Sequence, residues 1–414
     1  MTIKKKYLAW FISFHDNKSL NREITSHVLL IKKLCEKFEK IYLINIHNLK
    51  FFSEKKKEIS CELNQNLKLP DNIEFINPFD SKDFANFMYG KELIAINKIG
   101  RNFSEWKVYF LFAKYKIKQI QISNLGNIQT NVQLVKRYIF RGILKKIYHD
   151  YSHKIIVLLS NLGLVPKIEI RFVTDVRIID YKKKGESPFK KIFNYFNFHF
   201  AKEFILVNSR SFDEVKEQKN EIDEDRIVLL PVNPGTYVDF VQDASSNETM
   251  NKKSVEKYFY YIKKLITHLS NIYNKKVIVC IHPAENLKLM KQFLPDFEIV
   301  QYKTRENIFK AFMVLFHDSS AIIDAILLKK RIITLSSIYI NKNHNICGDD
   351  YAQKVGILKM SLEDQININK NHFISQLDKA KEHYLNYIKS NIAPDGNEPG
   401  HEKIIRIIKE RFFN

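Results

Sequence analysis

Val277-Ile278-Val279-Cys280-Ile281-His282-Pro283 and, two strands further on, Val314-Leu315-Phe316 followed by Asp318-Ser319-Ser320-Ala321-Ile322-Ile323-Asp324-Ala325 decide how this chain reads. Each opens as an apolar run of strand length and ends on polar residues. In open α/β sheets, ligands sit outside the carboxyl ends of strands. Here two such ends carry an imidazole and a pair of hydroxyls, and the second opens a helix. Unpaired N–H groups and a positive dipole end at a helix start suit an anion. The pattern predicts half of a nucleotide monophosphate or diphosphate site, with His282, Ser319 and Ser320 on the phosphate. His282 can donate to a phosphate oxygen and is cationic beside an anion; the alternative is a surface-loop histidine. Ser and Asp are also ordinary N-caps, but a doubled serine is more than capping requires. Asp324 falls one turn into the helix, as a ligand contact or as a polar core contact.

Working outward, the second half repeats a strand–helix rhythm. Phe204–Asn208, Ile227–Pro231, Val277–Ile281, Glu298–Val300, Val314–Phe316 and Ile332–Leu335 read as strands, with an amphipathic helix over Lys253–Tyr273. Pro234, Gly235 and Thr236 follow the strand ending at Pro231. Glycine permits close backbone approach and threonine offers a hydroxyl, so the segment is a nucleotide contact or a simple turn. The first half reads similarly, with strands at Tyr7–Phe14, Ile41–Ile46, Ile73–Ile76, Val108–Phe112, Gln119–Ser123 and Lys167–Val173, and a helix over Glu23–Phe38. This alternation predicts parallel sheets with right-handed crossovers. His15 and Asp16, just after the first strand, are candidate general bases or a solvated loop. Asn124 and Gly126 are a second candidate pair facing a cleft. A basic helix is expected over 133–154.

Bulk properties bound the function. A chain of 414 residues suits two domains. The charged, breaker-bearing stretch Tyr181–Pro188 places the boundary near residue 190, giving 1–190 and 191–393, with 394–414 as a terminal helix after the Pro394–Gly400 break. The formal net charge of +21 attracts polyanions. No nucleic-acid-binding motif appears, so an anionic membrane surface is the preferred polyanion. Lysines interleaved with aromatics over Tyr181–Phe200 suit an interfacial membrane contact, or a helix burying its aromatics in the core. Scattered cysteines and no secretory leader suit a reducing cytoplasm, with peripheral attachment at the inner membrane. Asp223-Glu224-Asp225 matches a metal-binding D-x-D pattern but reads as a solvated link, and no metal is expected. No dinucleotide fingerprint or P-loop appears.

The His282-Pro283 pair, the Ser319-Ser320 pair and the phrase running from Ser320 to Ile333 resemble the carboxy-terminal domain of bacterial GT-B glycosyltransferases, nearest to those using CMP-linked sialic acid or Kdo. The resemblance implies an α/β fold of two Rossmann-like domains facing across a cleft, with the first binding the acceptor and the second the nucleotide sugar. It implies that His282, Ser319 and Ser320 contact the donor phosphate. It further implies sugar transfer, without a cofactor, to a capsule or lipopolysaccharide glycan or a lipid-linked acceptor. Those families often place an acidic pair before glycine in the first domain; here Asn124-Leu125-Gly126 has no carboxylate, so the resemblance leaves the base unassigned, with Asp16 and His15 as the candidates from position. Transferases using CDP-glycerol or CDP-ribitol share a similar layout and are the enzymatic alternative. A non-catalytic protein binding membranes or polyanions is the alternative of another class.

Overall fold

A computed structural model describes residues 5–14, 17–50, 70–100, 103–123, 152, 154–174, 201–218, 224–232, 252–282, 285–340, 342–364 and 370–414. The chain forms two compact units: Met1–Leu125, Gly142–Asp213 and Ala393–Asn414 make the first, and Gly126–Arg141 with Glu214–Ile392 the second.

The first unit is built on seven parallel strands, β1 (Lys5–Ile12), β2 (Ile41–Asn45), β3 (Ile73–Ile76), β4 (Lys91–Asn97), β5 (Lys118–Ser123), β6 (Ile168–Val173) and β7 (Ala201–Leu206), in the order β3-β2-β1-β4-β5-β6-β7. The second has six, β8 (Arg226–Leu230), β9 (Lys276–Ile281), β10 (Glu298–Gln301), β11 (Ala311–Phe316), β12 (Arg331–Ser336) and β13 (Leu358–Ser361), in the order β10-β9-β8-β11-β12-β13. Both follow the doubly wound Rossmann order, in which the chain starts centrally, works to one edge, then returns to fill the other side. The α/β fold with two Rossmann-like sheets expected from the sequence is therefore present.

The helices are α1 (Asn17–Cys35), α2 (Ser81–Met88), α3 (Trp106–Lys114), α4 (Arg210–Glu217), α5 (Lys252–Tyr273), α6 (Leu287–Phe293), α7 (Thr304–Phe309), α8 (Ile322–Leu327), α9 (Lys342–Val355), α10 (Lys370–Tyr387) and α11 (Gly400–Phe412). Central parallel strands are covered on both faces, so they read as continuous apolar runs. In β1, Leu8, Trp10 and Ile12 point to one layer, with Leu34 of α1 and Ile404 and Ile408 of α11. Ala9 and Phe11 point to the other, with Phe84 of α2 and Phe112 of α3. In the second unit Tyr258, Ile262 and Leu269 of α5 pack with Leu229, Val279 and Leu315 of the sheet.

Three readings need correction. Val108–Phe112 is not a strand but lies within α3, where Val108, Tyr109, Leu111 and Phe112 are buried. A short apolar run does not by itself distinguish a buried strand from a buried helix. The strand beside β1 is instead β4, which pairs along its whole length with β1. The Phe204–Asn208 strand does not open the second half: β7 pairs with β6 and closes the first sheet. The break near residue 190 thus lies in the connection between two strands of one sheet, and the first unit runs on to Asp213. The Tyr181–Phe200 cluster lies outside the described residues, as does the 133–154 helix except for Ser152 and Lys154.

The terminal segment is tied into the first unit. Asn208 donates from Nδ2 to the carbonyls of Gly396 and Glu398 and accepts from the Asp395 N–H. Asp213 accepts from the N–H groups that open α11.

Candidate nucleotide site

In a sheet of this order the strand direction of travel reverses between the first and fourth strands, here β8 and β11, and a crevice opens at their carboxyl ends. Leu229 of β8 pairs with Val279 of β9 and with Leu315 of β11. Counting onward in this register, His282 comes level with Val232 and Asp318. Neighbouring strands are about 4.8 Å apart, so the His282 and Asp318 positions stand roughly 10 Å apart across β8, on one edge of the sheet. His282 and the Asp318–Ser320 segment thus follow the strands on the two sides of β8, the strand that leads into Asn233–Thr236. His282 is exposed, as are Asp318 and Ser320, while Ser319 is half-buried. Pro234, Gly235, Thr236 and Pro283 lie outside the described residues.

The start of α8 differs from expectation. Ser319 Oγ accepts from the Ala321 N–H at 3.3 Å, and the N–H groups of Ile322, Ile323 and Asp324 donate to the carbonyls of Ser319, Ser320 and Ala321. A tight three-residue turn therefore uses the N–H groups that would otherwise face an anion. What remains for a ligand is the Ser320 side chain, the backbone at Ser319 and Ser320, and the donor capacity of the Ser319 hydroxyl. Asp324 takes the second of its two readings, a polar core contact. It is buried, and its carboxylate meets Arg305 Nε at 3.0 Å, while Arg305 Nη2 meets Glu214 at 2.6 Å. Burial disfavours the guanidinium charge, but Asp324 and Glu214 outweigh it and raise the Arg305 pKa. A buried carboxylate held this way serves the ion pair, not a ligand.

Behind the exposed edge lies a layer that spacing alone did not reveal. His317, fully buried, pairs through Nε2 with the Tyr258 hydroxyl at 3.0 Å. Burial above all, with the neighbouring His344, lowers the His317 pKa to about 3, so the ring is neutral at neutral pH. Burial pushes the Tyr258 phenol far above its usual value, against the opposing pull of a backbone hydrogen bond with Val232. One phenol thus ties the residue after β11 to the second residue after β8, bracing both sides of the crevice. Asp318 is oriented in turn by His344 of α9, Oδ2 to Nδ1 at 3.3 Å. α9 approaches closely because Gly348 has no side chain: a Cβ there would sit 2.5 Å from Thr334 Oγ1. Beside it, Glu363 accepts from the Ser337 hydroxyl at 2.5 Å and from Ser361 at 2.9 Å, fixing the turns after β12 and β13.

In the first unit the equivalent reversal lies between β1 and β4. His15 and Asp16 follow β1, and Asn124 and Gly126 follow β5; all four lie outside the described residues. The described edge is polar and cationic. Asn45 accepts through Oδ1 from the N–H groups of Phe14 and His47, which shapes the exit from β1. Asn97 accepts from the Ile99 N–H and donates to Gln119. Lys98 donates to the Ile122 carbonyl at 2.9 Å. His27, buried against Trp10, has its pKa lowered to about 2 by burial first and by the Lys98 and Arg210 cations second.

The D-x-D segment is described from Glu224 onward. Glu224 pairs with Arg331, and Asp225 with Arg226. Both carboxylates are engaged at the amino edge of the second sheet, away from the crevice.

No protein-family model matches the chain. Protein Ycf2 of Physcomitrium patens is 25% identical over 365 residues, 82% of this chain, and the chain spans only 15% of the length of that relative. Among solved structures, UDP-GlcNAc 2-epimerase from Methanocaldococcus jannaschii is 16% identical, covering 98% of this chain and 99% of that one, at a TM-score of 0.47. The glycotransferase of kitacinnamycin is 11% identical, covering 98% of each chain, at a TM-score of 0.48. The calicheamicin glycosyltransferase CalG4 is 8% identical, covering 99% of this chain and 100% of that one, at a TM-score of 0.46.

Proposed function

We propose that this chain is a glycosyltransferase that takes a sugar from a nucleotide-activated donor, a CMP-linked acidic sugar by the resemblance of its His-Pro and Ser-Ser motifs, and passes it to a capsule, lipopolysaccharide or lipid-linked glycan. One relationship supports the reading: His282 and Asp318–Ser320 follow the two strands, β9 and β11, that pair on either side of β8. The imidazole and the Ser319–Ser320 segment contact the donor phosphate and stabilise the charge that grows on it as the sugar leaves. Tyr258 and His317 hold the two strand ends rigid, so little reorganisation is needed at that moment. Asp16 or His15 of the first unit removes the acceptor proton.

Calorimetric titration with CMP, CDP and UDP tests this. A cytidine nucleotide is expected to bind, and His282→Ala to weaken it about tenfold or more, the loss of a charge-assisted hydrogen bond. Absence of nucleotide binding at millimolar concentration, or unchanged affinity in His282→Ala, refutes it. Turnover of CDP-glycerol or CDP-ribitol in place of CMP-sugars would assign the chain to the alditol-phosphate transferases.

A further inference from the structure

The carboxyl edge of the second sheet holds the nucleotide crevice; its amino edge holds a groove that sugar transfer does not use. The groove spans about 530 Å³, the size of a small-molecule site. Its floor is apolar: Tyr273, the last residue of α5, Phe312 near the start of β11, and Ile374 of α10. Lys370, Asn371 and Ser375, all exposed, form the rim with Asp378. These rim residues and Ile374 fall on one face of α10, at helical spacing. β11 runs from Phe312 toward Asp318, six residues on, so the groove lies roughly 20 Å from the crevice.

The charges around this floor are unevenly committed. The Tyr273 and Phe312 ring centroids stand 5.3 Å apart. Lys370 Nζ lies 5.8 Å from the Tyr273 centroid, and Lys275 Nζ lies 5.6 Å from that of Phe312. Arg331 also covers Phe312, but it is engaged, meeting Asp378 at 3.0 Å and Glu224 at 3.2 Å. Asp378, the carboxylate that lines the groove, takes Lys381 as well, at 2.7 Å. Among the described residues neither Lys275 nor Lys370 makes an ion pair. Two uncommitted ammonium groups beside an apolar floor match a dianion joined to an apolar body. The positive end of the α10 dipole adds to the attraction at Lys370 and Asn371, and the Asn371 amide and Ser375 hydroxyl are further donors on that face. The Tyr273 hydroxyl is buried without a hydrogen-bond partner. Buried polar atoms are normally paired, and an anionic oxygen on this wall would supply the missing acceptor.

We propose that this groove is a second ligand site, which takes a small organic phosphate: its apolar ring or chain lies over Tyr273, Phe312 and Ile374, and Lys275 and Lys370 meet its phosphate. Nothing in this site depends on the donor or on sugar transfer. Phenyl phosphate is the probe, titrated calorimetrically into the full chain at low salt, where exposed charges are least screened. It is expected to bind in the millimolar range or tighter, and at least about fivefold more tightly than inorganic phosphate, which lacks the ring, or benzyl alcohol, which lacks the charge. Lys275→Gln/Lys370→Gln is expected to weaken it at least about fivefold, and Tyr273→Phe about threefold, with the melting temperature unchanged. Excess CMP and His282→Ala are expected to leave phenyl phosphate binding as it is, which separates the groove from the donor site. Absence of binding at millimolar concentration overturns the proposal. So does binding that CMP or His282→Ala removes, or equal affinity in the double glutamine variant and the parent.

Discussion

The carboxylate of Asp213 caps Gly400, a residue 187 positions later: the Gly400 N–H donates to Oδ1 at 2.6 Å, and the next N–H, that of His401, to Oδ2 at 2.8 Å. One side chain thereby satisfies two of the free donors at the start of α11, and its charge lies at the positive end of that helix.

Removing this cap is expected to loosen α11. Asp213→Ala leaves two buried N–H groups unmet and should cost about 3 kcal/mol. Gly400→Ala should be at least as damaging, because a Cβ there would run into the Asn208 carbonyl, a backbone atom that has no room to move. Thermal unfolding of the two variants measures both losses; a melting temperature unchanged in either would show that α11 is not held as described.

Acid should destabilise the protein well before its carboxylates titrate. His27 and His317 have pKa values lowered to about 2 and about 3 in the folded chain, against about 6.5 when unfolded. Below pH 6.5 the unfolded state binds protons that the native state refuses, so stability is complete above that pH and falls as the pH drops toward the folded values. Each histidine should cost about 2 kcal/mol between pH 7 and pH 5. Urea unfolding at the two pH values should show the loss, and His27→Asn should flatten it for the first unit. An equal pH dependence in that variant would contradict the buried, neutral ring.

Gly348→Ala should destabilise the second unit by about 1–3 kcal/mol, despite the better helix propensity of alanine. The obstacle is the hydroxyl of Thr334, itself buried and stiff at χ1. Thr334→Ala should therefore restore much of the loss, and the double-mutant cycle should give a favourable coupling. Additive losses would place the close approach elsewhere.

Asp324→Asn separates the ion pair from the ligand site. Removing one of the two carboxylate charges that face Arg305 leaves Glu214 as its remaining partner, and stability should drop by about 1–3 kcal/mol. The affinity for a bound nucleotide should stay within about twofold, since Asp324 faces Arg305. A large fall in nucleotide affinity with an unchanged melting temperature would return Asp324 to the binding surface.

Local pattern carried the fold a long way. The β8, β9, β11 and β12 strands stood out because central parallel strands are short apolar runs bounded by polar turns. β13 did not, being a four-residue edge strand with Lys359 in its middle. Val108–Phe112 misled because its one exposed position, Phe110, is itself aromatic, so no polar residue marks the helical period there. For the site, His282 and Ser319–Ser320 were legible since they follow strand ends, where the fold itself puts ligands. Asp324 stayed open between a ligand contact and a polar core contact because nothing near it in sequence announces Arg305, nineteen positions before it. The Tyr258–His317 and Asp318–His344 pairs depend on how α5 and α9 dock, which a glycine such as Gly348 decides and spacing does not encode.

Residues 214–392 interrupt the first unit in sequence, and this has a consequence for biosynthesis. The ribosome delivers β1 early but Gly400–Phe412 only after every strand of the second unit has emerged. At ordinary elongation rates of ~5–20 residues per second, the sheet face bearing Trp10, Leu43 and Ile94 waits roughly 15–60 s for Ile404 and Ile408 to cover it. During that interval the nascent first unit presents a sticky, half-roofed sheet. A chaperone that shields it until translation reaches α11 would determine how much of the protein escapes aggregation.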